Sequence, residues 1–250
     1  MITVCILAKN SASTLRTALD SVQSFPEVIV LDNGSTDETI SIAKSYPNVK
    51  VLEFPFIGFG PLRNQAAAYA THDWILALDT DEALSPLLLA EIQTLSLNPS
   101  AAYSMPRDNY YNNKHIKGCG WFPDRVIRLY HRKQARYSDA AVHESVLSQN
   151  IIPLKASIIH IPFRSTAEFL SKMQNYSTLF AQQHKSARTS SLAKAFLKSL
   201  FTFFRSYFLQ RGIFLGPEGF IVSLYNSNTA FYKYVKLWEE NLRDSNTANR

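Results

Sequence analysis

The sequence predicts an α/β fold: a mostly parallel sheet flanked by helices, followed by a helical C-terminal region. Two observations predict it. Through the first part of the chain, short runs that are apolar throughout alternate with segments of helical spacing. Strands apolar on both faces belong to a parallel sheet covered on both sides. From about Thr166 onward, helical signals dominate. A third observation ties fold to site. Asn10, Asp32 and Asp79 each fall just after an apolar run, and ligands of open α/β sheets bind beyond the carboxyl ends of the strands.

The elements follow in order. Residues 2–8 form an apolar strand, and 13–22 have helical spacing. A short strand at 28–31 ends at Asp32. Ser35 and Glu38 fit a capping box, with a helix to about Ser45. A strand at 49–54 precedes a helix that Pro61 opens and the alanines carry to Ala70. A strand at 74–78 ends at Asp79, and 86–97 is helical. From 101 to 163 come short strands with turn signals, at 102–105, 126–130 and 156–161, which read as mixed or antiparallel sheet. Helices are expected at 166–184, 191–209 and 220–242, with Gly212, Gly216, Pro217 and Gly219 breaking the chain between the last two and a frayed polar tail after Leu242. This divides the chain into an α/β half (1–100), a second part of the same domain (101–165) and a helical region (166–250).

Composition bounds the function. The 250 residues suit one α/β domain with a modest appendage. With 46% hydrophobic and 18% charged residues, disorder over most of the length is excluded. The net charge of +6 suits phosphates or an anionic membrane surface. No basic run is dense enough to favour nucleic acid. Cys5 and Cys119 are too few for a disulfide scaffold, and the scattered histidines offer no zinc spacing, so a reducing compartment is expected. Neither a secretory leader nor a spanning helix is expected.

Five stretches carry candidate chemistry. In Asp79-Thr80-Asp81, strand alternation places two carboxylates on one side, where they can hold Mg²⁺ or Mn²⁺ and through it a diphosphate; the alternative is turn and capping chemistry before the helix at Pro86. Asp32 ends a buried strand where a nucleoside can lie, in a loop where Asp37 reads as plain turn and cap chemistry. Gly58 to Asn64 is a glycine-rich turn entering a helix, where Arg63 can pair with a phosphate or stand solvated. Val142-His143-Glu144 offers a general base, with Asp139 and Asp124 as rivals. Within 192–215, Lys194, Lys198 and Arg205 fall within about 40° of one another on a helix rich in Phe and Leu. That pattern suits an interfacial membrane helix or a core helix with a wet stripe.

Taken together, these stretches resemble family-two glycosyltransferases of the GT-A fold, closest to the bacterial lipopolysaccharide-core β-1,4-glucosyltransferase group. The resembling text runs from Thr3–Asn10 through Val28–Asp37, Gly58–Ala68, Asp79–Asp81, Asp124–Tyr130 and Val142–Glu144 to Gly212–Glu239. The resemblance implies a Rossmann-like GT-A sheet, a UDP-sugar donor with UDP-glucose foremost, a divalent metal and an inverting reaction. Asp32 would contact uridine, and Asp79 and Asp81 the ribose, diphosphate and metal. Asn10, Arg63 and Asn64 would complete the donor site. Glu144 would be the acceptor-side carboxylate; by its place beside it, His143 could orient Glu144 or contact sugar. Relatives often carry Glu after the strand-one Asn, where this chain has Ser11. The acceptor is expected to be a saccharide or lipid-linked glycan, met at the cytoplasmic face of the membrane by a peripherally bound protein. Rival readings are a nucleotidyltransferase acting on sugar phosphates and a non-catalytic membrane-associated scaffold.

Overall fold

The computed structural model describes residues 1–139 and 144–248, with side chains to residue 244. In order the elements are β1 Ile2–Ala8, α1 Leu15–Asp20, β2 Glu27–Asp32, α2 Thr39–Lys44, β3 Val49–Glu53, α3 Phe59–Ala68, β4 Trp74–Asp79, β5 Glu82–Leu84 and α4 Pro86–Thr94. They continue with β6 Ala102–Tyr111, β7 Lys114–His115, β8 Arg125–His131, β9 Arg136–Tyr137, β10 Val146–Leu147, β11 Ile151–Pro153, β12 Ile158–His160, α5 Thr166–His184, α6 Leu192–Phe204 and α7 Gly216–Ala248. Two compact units emerge: residues 1–108 with 124–160, and residues 109–123 with 161–250. Residues 109–123 of the expected middle segment therefore group with the C-terminal helices.

In the first unit, β3, β2, β1 and β4 lie side by side and parallel. Register explains why the runs of β2, β1 and β4 are apolar almost throughout. Val4 lies opposite both Val28 and Leu76, and Ile6 opposite Val30 and Leu78; these side chains pack against Leu15 and Leu19 of α1 and Leu88 and Ile92 of α4. The alternate set, Cys5, Ile29, Leu31, Ile75 and Ala77, packs against Leu62, Ala66 and Ala67 of α3. Each strand feeds two cores, as a doubly covered sheet requires. Beyond β4 the sheet turns antiparallel through β8 and β6. β5 pairs antiparallel with β12.

One expected helix start is displaced. The helix after Asp32 begins at Thr39, and Ser35 does not cap it. The Ser35 hydroxyl donates to Asp32 and accepts from the Asn10 N–H, so it is spent on the loop. Asp37 accepts from the Thr39 N–H instead, at 3.0 Å.

In the second unit, Ser165 caps α5 and Ser191 caps α6. Tyr111, Phe163, Phe169 and Val222 are among the residues of an aromatic-rich core. The glycines expected to break the chain instead let α7 start early. A Cβ on Gly219 would stand 1.9 Å from the Gly212 carbonyl oxygen, so only glycine permits that approach. Pro217 fits the first helical turn, and α7 runs to Ala248, past Leu242. α6 and the π-helical turn that follows it, Arg205–Leu209, face α7 with small residues: Ala195 is fully buried, and Ser199 and Ser206 bond Ser227 and Ser223. The large side chains of α6 point away, with Leu197 at 63% and Phe201 at 58% exposure. Among the described residues, no helix is long and apolar enough to cross a membrane.

Candidate active site at the carboxyl edge of the sheet

Register brings Asp32 opposite Ala8 and Asp79 opposite Leu7, so both acids end strands that flank β1. Asn10 lies just past β1 with φ +48°. Its side-chain oxygen accepts from the Thr36 N–H at 2.8 Å. Asp32 is 1% exposed and folded into its own loop: one oxygen accepts from Gly34 and Ser35 N–H at 2.9 and 2.8 Å, the other from the Ser35 hydroxyl. Gly34, at φ +100°, supplies the left-handed turn that aims these N–H groups inward. Asn10 and Asp32 thus shape one loop at the sheet edge.

The centre is a chain of buried charges. Arg63, in the second turn of α3, is 5% exposed, which excludes the solvated alternative. Its Nε donates to Glu144 at 2.9 Å and a terminal nitrogen donates to Asp79. Arg128 of β8 donates to the other Asp79 oxygen and, at 2.6 Å, to Glu82. Glu82 also accepts from Arg107 at 3.1 Å, and Arg107 donates to Asp124 at 2.8 Å. Burial alone would raise the Asp79 pKa, but the Arg128 and Arg63 charges outweigh it and hold the carboxyl far below the usual range. Burial disfavours both cations, yet Asp79 and their other anionic partners push Arg63 and Arg128 above the ordinary arginine value. Three residues distant in sequence, Arg63, Asp79 and Glu144, therefore converge as ion pairs. One terminal nitrogen of Arg63 and the Nε of Arg128 are buried with no acceptor among the described residues. Charged donors left unmade are costly, so this cluster is arranged for a further anion or water.

Other expected residues fall differently. The chain turns at Thr80 and Asp81, so strand alternation does not carry across the acidic pair. Asp79 faces the two arginines, while Asp81 lies 3.5 Å from His160 Nε2. Asn64 is bonded both ways to the Tyr137 backbone, at 2.9 and 3.0 Å, and so ties β9 to α3. Of the rival bases, Asp139 is exposed and paired with Arg136, and Asp124 is paired with Arg107. His143 lies outside the described residues. Among the described residues no group of three His, Cys, Asp or Glu side chains could hold a metal. Asp81 and His160 together offer one oxygen and one nitrogen donor, a set compatible with Mn²⁺ or Mg²⁺ only when diphosphate oxygens complete it.

Sequence reasoning missed Arg128, Glu82 and His160. Arg128 sits in the quoted run Asp124–Tyr130, and Glu82 directly follows Asp81. Their roles depend on antiparallel pairing of β8 with β4 and of β12 with β5, which places His160 opposite Glu82.

A mixed, mostly parallel sheet with acidic residues at its carboxyl edge is the architecture of GT-A glycosyltransferases. Consistent with that class, the profile for "Glycosyl transferase family 2" matches residues 3–152, and the chain belongs to that family; it is a glycosyltransferase. An uncharacterized glycosyltransferase of Rickettsia felis is 28% identical, the match covering 100% of this chain and 93% of the relative. The lipopolysaccharide core biosynthesis glycosyltransferase LpsC of Rhizobium meliloti is 26% identical, covering 94% and 90%. Among solved structures, S. aureus TarS 1-349 in complex with UDP-GlcNAc superposes with TM-score 0.50 at 16% identity, covering 100% of this chain and 92% of that one. The mannosyltransferase PcManGT of Pyrobaculum calidifontis, in complex with GDP-Man and Mn²⁺, gives TM-score 0.50 at 16% identity, covering 97% and 87%.

Proposed function

We propose that the chain moves a hexose, with glucose the first choice, from a UDP-sugar to a saccharide or glycolipid acceptor of the cell envelope, with inversion. The observation that carries this reading is Arg63, buried between Asp79 and Glu144 with one terminal nitrogen unpaired among the described residues. A guanidinium so placed can turn from Glu144 to a diphosphate, pairing with the leaving group and freeing the carboxylate in one movement. Glu144 then accepts the acceptor hydroxyl proton. The acceptor oxygen bonds to the anomeric carbon as the bond to the β-phosphate oxygen breaks, and UDP leaves with that electron pair. Arg128 and Arg63 hold Asp79 ionised, facing the sugar-nucleotide. The Asn10–Asp32 loop takes the uridine, Asn64 fixes the wall formed by β9, and His143 orients Glu144.

Asp81 with His160 would hold the divalent metal, which supplies neutralisation of charge on the departing diphosphate. The name of the relative LpsC and the UDP-GlcNAc and Mn²⁺ complexes of the structural neighbours support donor class, acceptor class and metal. The test is a screen of nucleotide sugars against extracted glycolipid, read by mass. A gain of one hexose with UDP released is expected. Pyrophosphate released from UTP and a sugar 1-phosphate in a parallel assay, with no hexose gained by the glycolipid, would favour the nucleotidyltransferase reading, and absence of any nucleotide-sugar binding would leave a scaffold.

A second proposal is peripheral attachment to the inner face of the cytoplasmic membrane. Its support is the outward-facing Leu and Phe of α6. Flotation with anionic vesicles is expected to lift the protein, and indifference to lipid defeats the proposal.

A further inference from the structure

Residues 169–217 contain no Asp or Glu, yet carry Lys172, Lys185, Arg188, Lys194, Lys198, Arg205 and Arg211. Within the second unit a groove of about 530 Å³ collects two of these cations, Lys198 and Arg205, and adds Lys233 from α7. Trp121, Phe201 and Tyr234 are among its aromatic walls, and no carboxylate lines it. Three cations facing one groove repel one another, and Lys233 is partly buried over the Phe180 ring at 5.4 Å. Burial pulls the Lys233 pKa below the ordinary lysine value, a cost that a bound anion would offset.

The groove also adjoins apolar surface. Phe201 lines it and remains 58% exposed. Leu197, Phe204 and Phe208 continue the same helical face and are exposed as well. The basic stripe runs directly beside this face, so an anion here meets charge on one side and hydrocarbon-compatible surface on the other.

We propose that this groove binds the terminal phosphomonoester of an anionic lipid, with the lipid chains lying along Leu197, Phe201, Phe204 and Phe208. The inference rests on the membrane reading above and is independent of the sugar-transfer chemistry. It makes the contact stoichiometric and specific for phosphate rather than diffuse.

The test is flotation of the full chain with three vesicle types: phosphatidylcholine alone, phosphatidylcholine with phosphatidic acid, and phosphatidylcholine with oleate at matched surface charge. Phosphatidic acid vesicles are expected to bind best. Lys198→Gln, Arg205→Gln and Lys233→Gln should each weaken that binding by roughly fivefold, as for one cation at a charged surface. Arg188→Gln, outside the groove, should change it far less. Circular dichroism would check that each variant is folded. Equal loss in Arg188→Gln, or equal binding to oleate vesicles, would overturn the proposal in favour of diffuse charge attraction. Inorganic phosphate that binds the protein as tightly as the vesicles do, and competes with them, would overturn it in favour of a free-anion site. Binding to no vesicle at all would end the membrane reading together with this one, whereas binding without phosphate preference would end this one alone.

Discussion

Replacing Arg128 with methionine removes the guanidinium that joins Asp79 to Glu82 and keeps only the apolar stem of the side chain. Glu82 is 1% exposed and loses its 2.6 Å bond; Asp79 loses one of its two arginines. Removing one partner of a buried ion pair costs about 3–5 kcal/mol. Here Asp79 keeps Arg63, and Glu82 keeps Arg107 at 3.1 Å, so the low end of that range applies. At roughly 2–4 °C per kcal/mol for a protein of this size, a loss of about 3 kcal/mol lowers the melting midpoint by roughly 6–12 °C. The assay is thermal unfolding followed by circular dichroism. The cycle closes with Glu82→Met and the double variant, which removes the stranded charge. The double variant should be less destabilised than the two single losses added together, by roughly 1–3 kcal/mol. An Arg128→Met midpoint within about 2 °C of the parent, the scatter of a surface substitution, would refute the claim that this arginine holds the site together.

Other outcomes follow from single features. Glu144→Gln should cut kcat by roughly a hundredfold to ten-thousandfold with donor KM little changed, measured as UDP release; retained turnover would pass the base role to Asp139 or Asp124. Gly219→Ala should destabilise the helical unit by about 1–3 kcal/mol in a guanidinium melt, because its methyl group would collide with the Gly212 carbonyl. Burial pushes the Cys5 thiol up to about 12 and raises that of the buried Cys119 as well, so neither should react with a disulfide reagent at mildly alkaline pH until the protein is unfolded. Asp79 titrates below its unfolded value of about 3.9, so its stabilisation is complete above that pH and is lost as pH falls further. The stability gap between the parent and Asp79→Asn should therefore be constant from about pH 5 upward and narrow in stronger acid.

Much of this was legible in the sequence, for physical reasons that differ by element. The inner parallel strands were readable because both of their faces are buried, which leaves an unbroken apolar run such as Val28–Leu31. Helix α5 was readable end to end because Ser165 caps it locally. Arg63, Asp79 and Glu144 were each singled out, but their mutual pairing was not, since it depends on which strand lies beside which. The Ser35 cap misled because the same hydroxyl had a stronger local partner in Asp32. Arg128 and Glu82 were invisible for the reason that hides most antiparallel contacts: nothing local in β8 names β4 as its neighbour. For α6 the helical period was plain, but the period alone does not tell which face is inward. Small residues at Ala195 and Ser199, and at Ser206 in the turn that follows, decide it by letting α7 approach closely.

Glu144 stands two residues before Val146, which pairs with Tyr137; Tyr137 hangs from Asn64, and the neighbouring Arg63 grips Glu144. These links form a closed ring through α3 and the β9–β10 hairpin. An exchange of the hairpin alone would import a carboxylate without the helix arginine it pairs with. The two segments form a single inheritable cassette, and chimeras should respect that boundary.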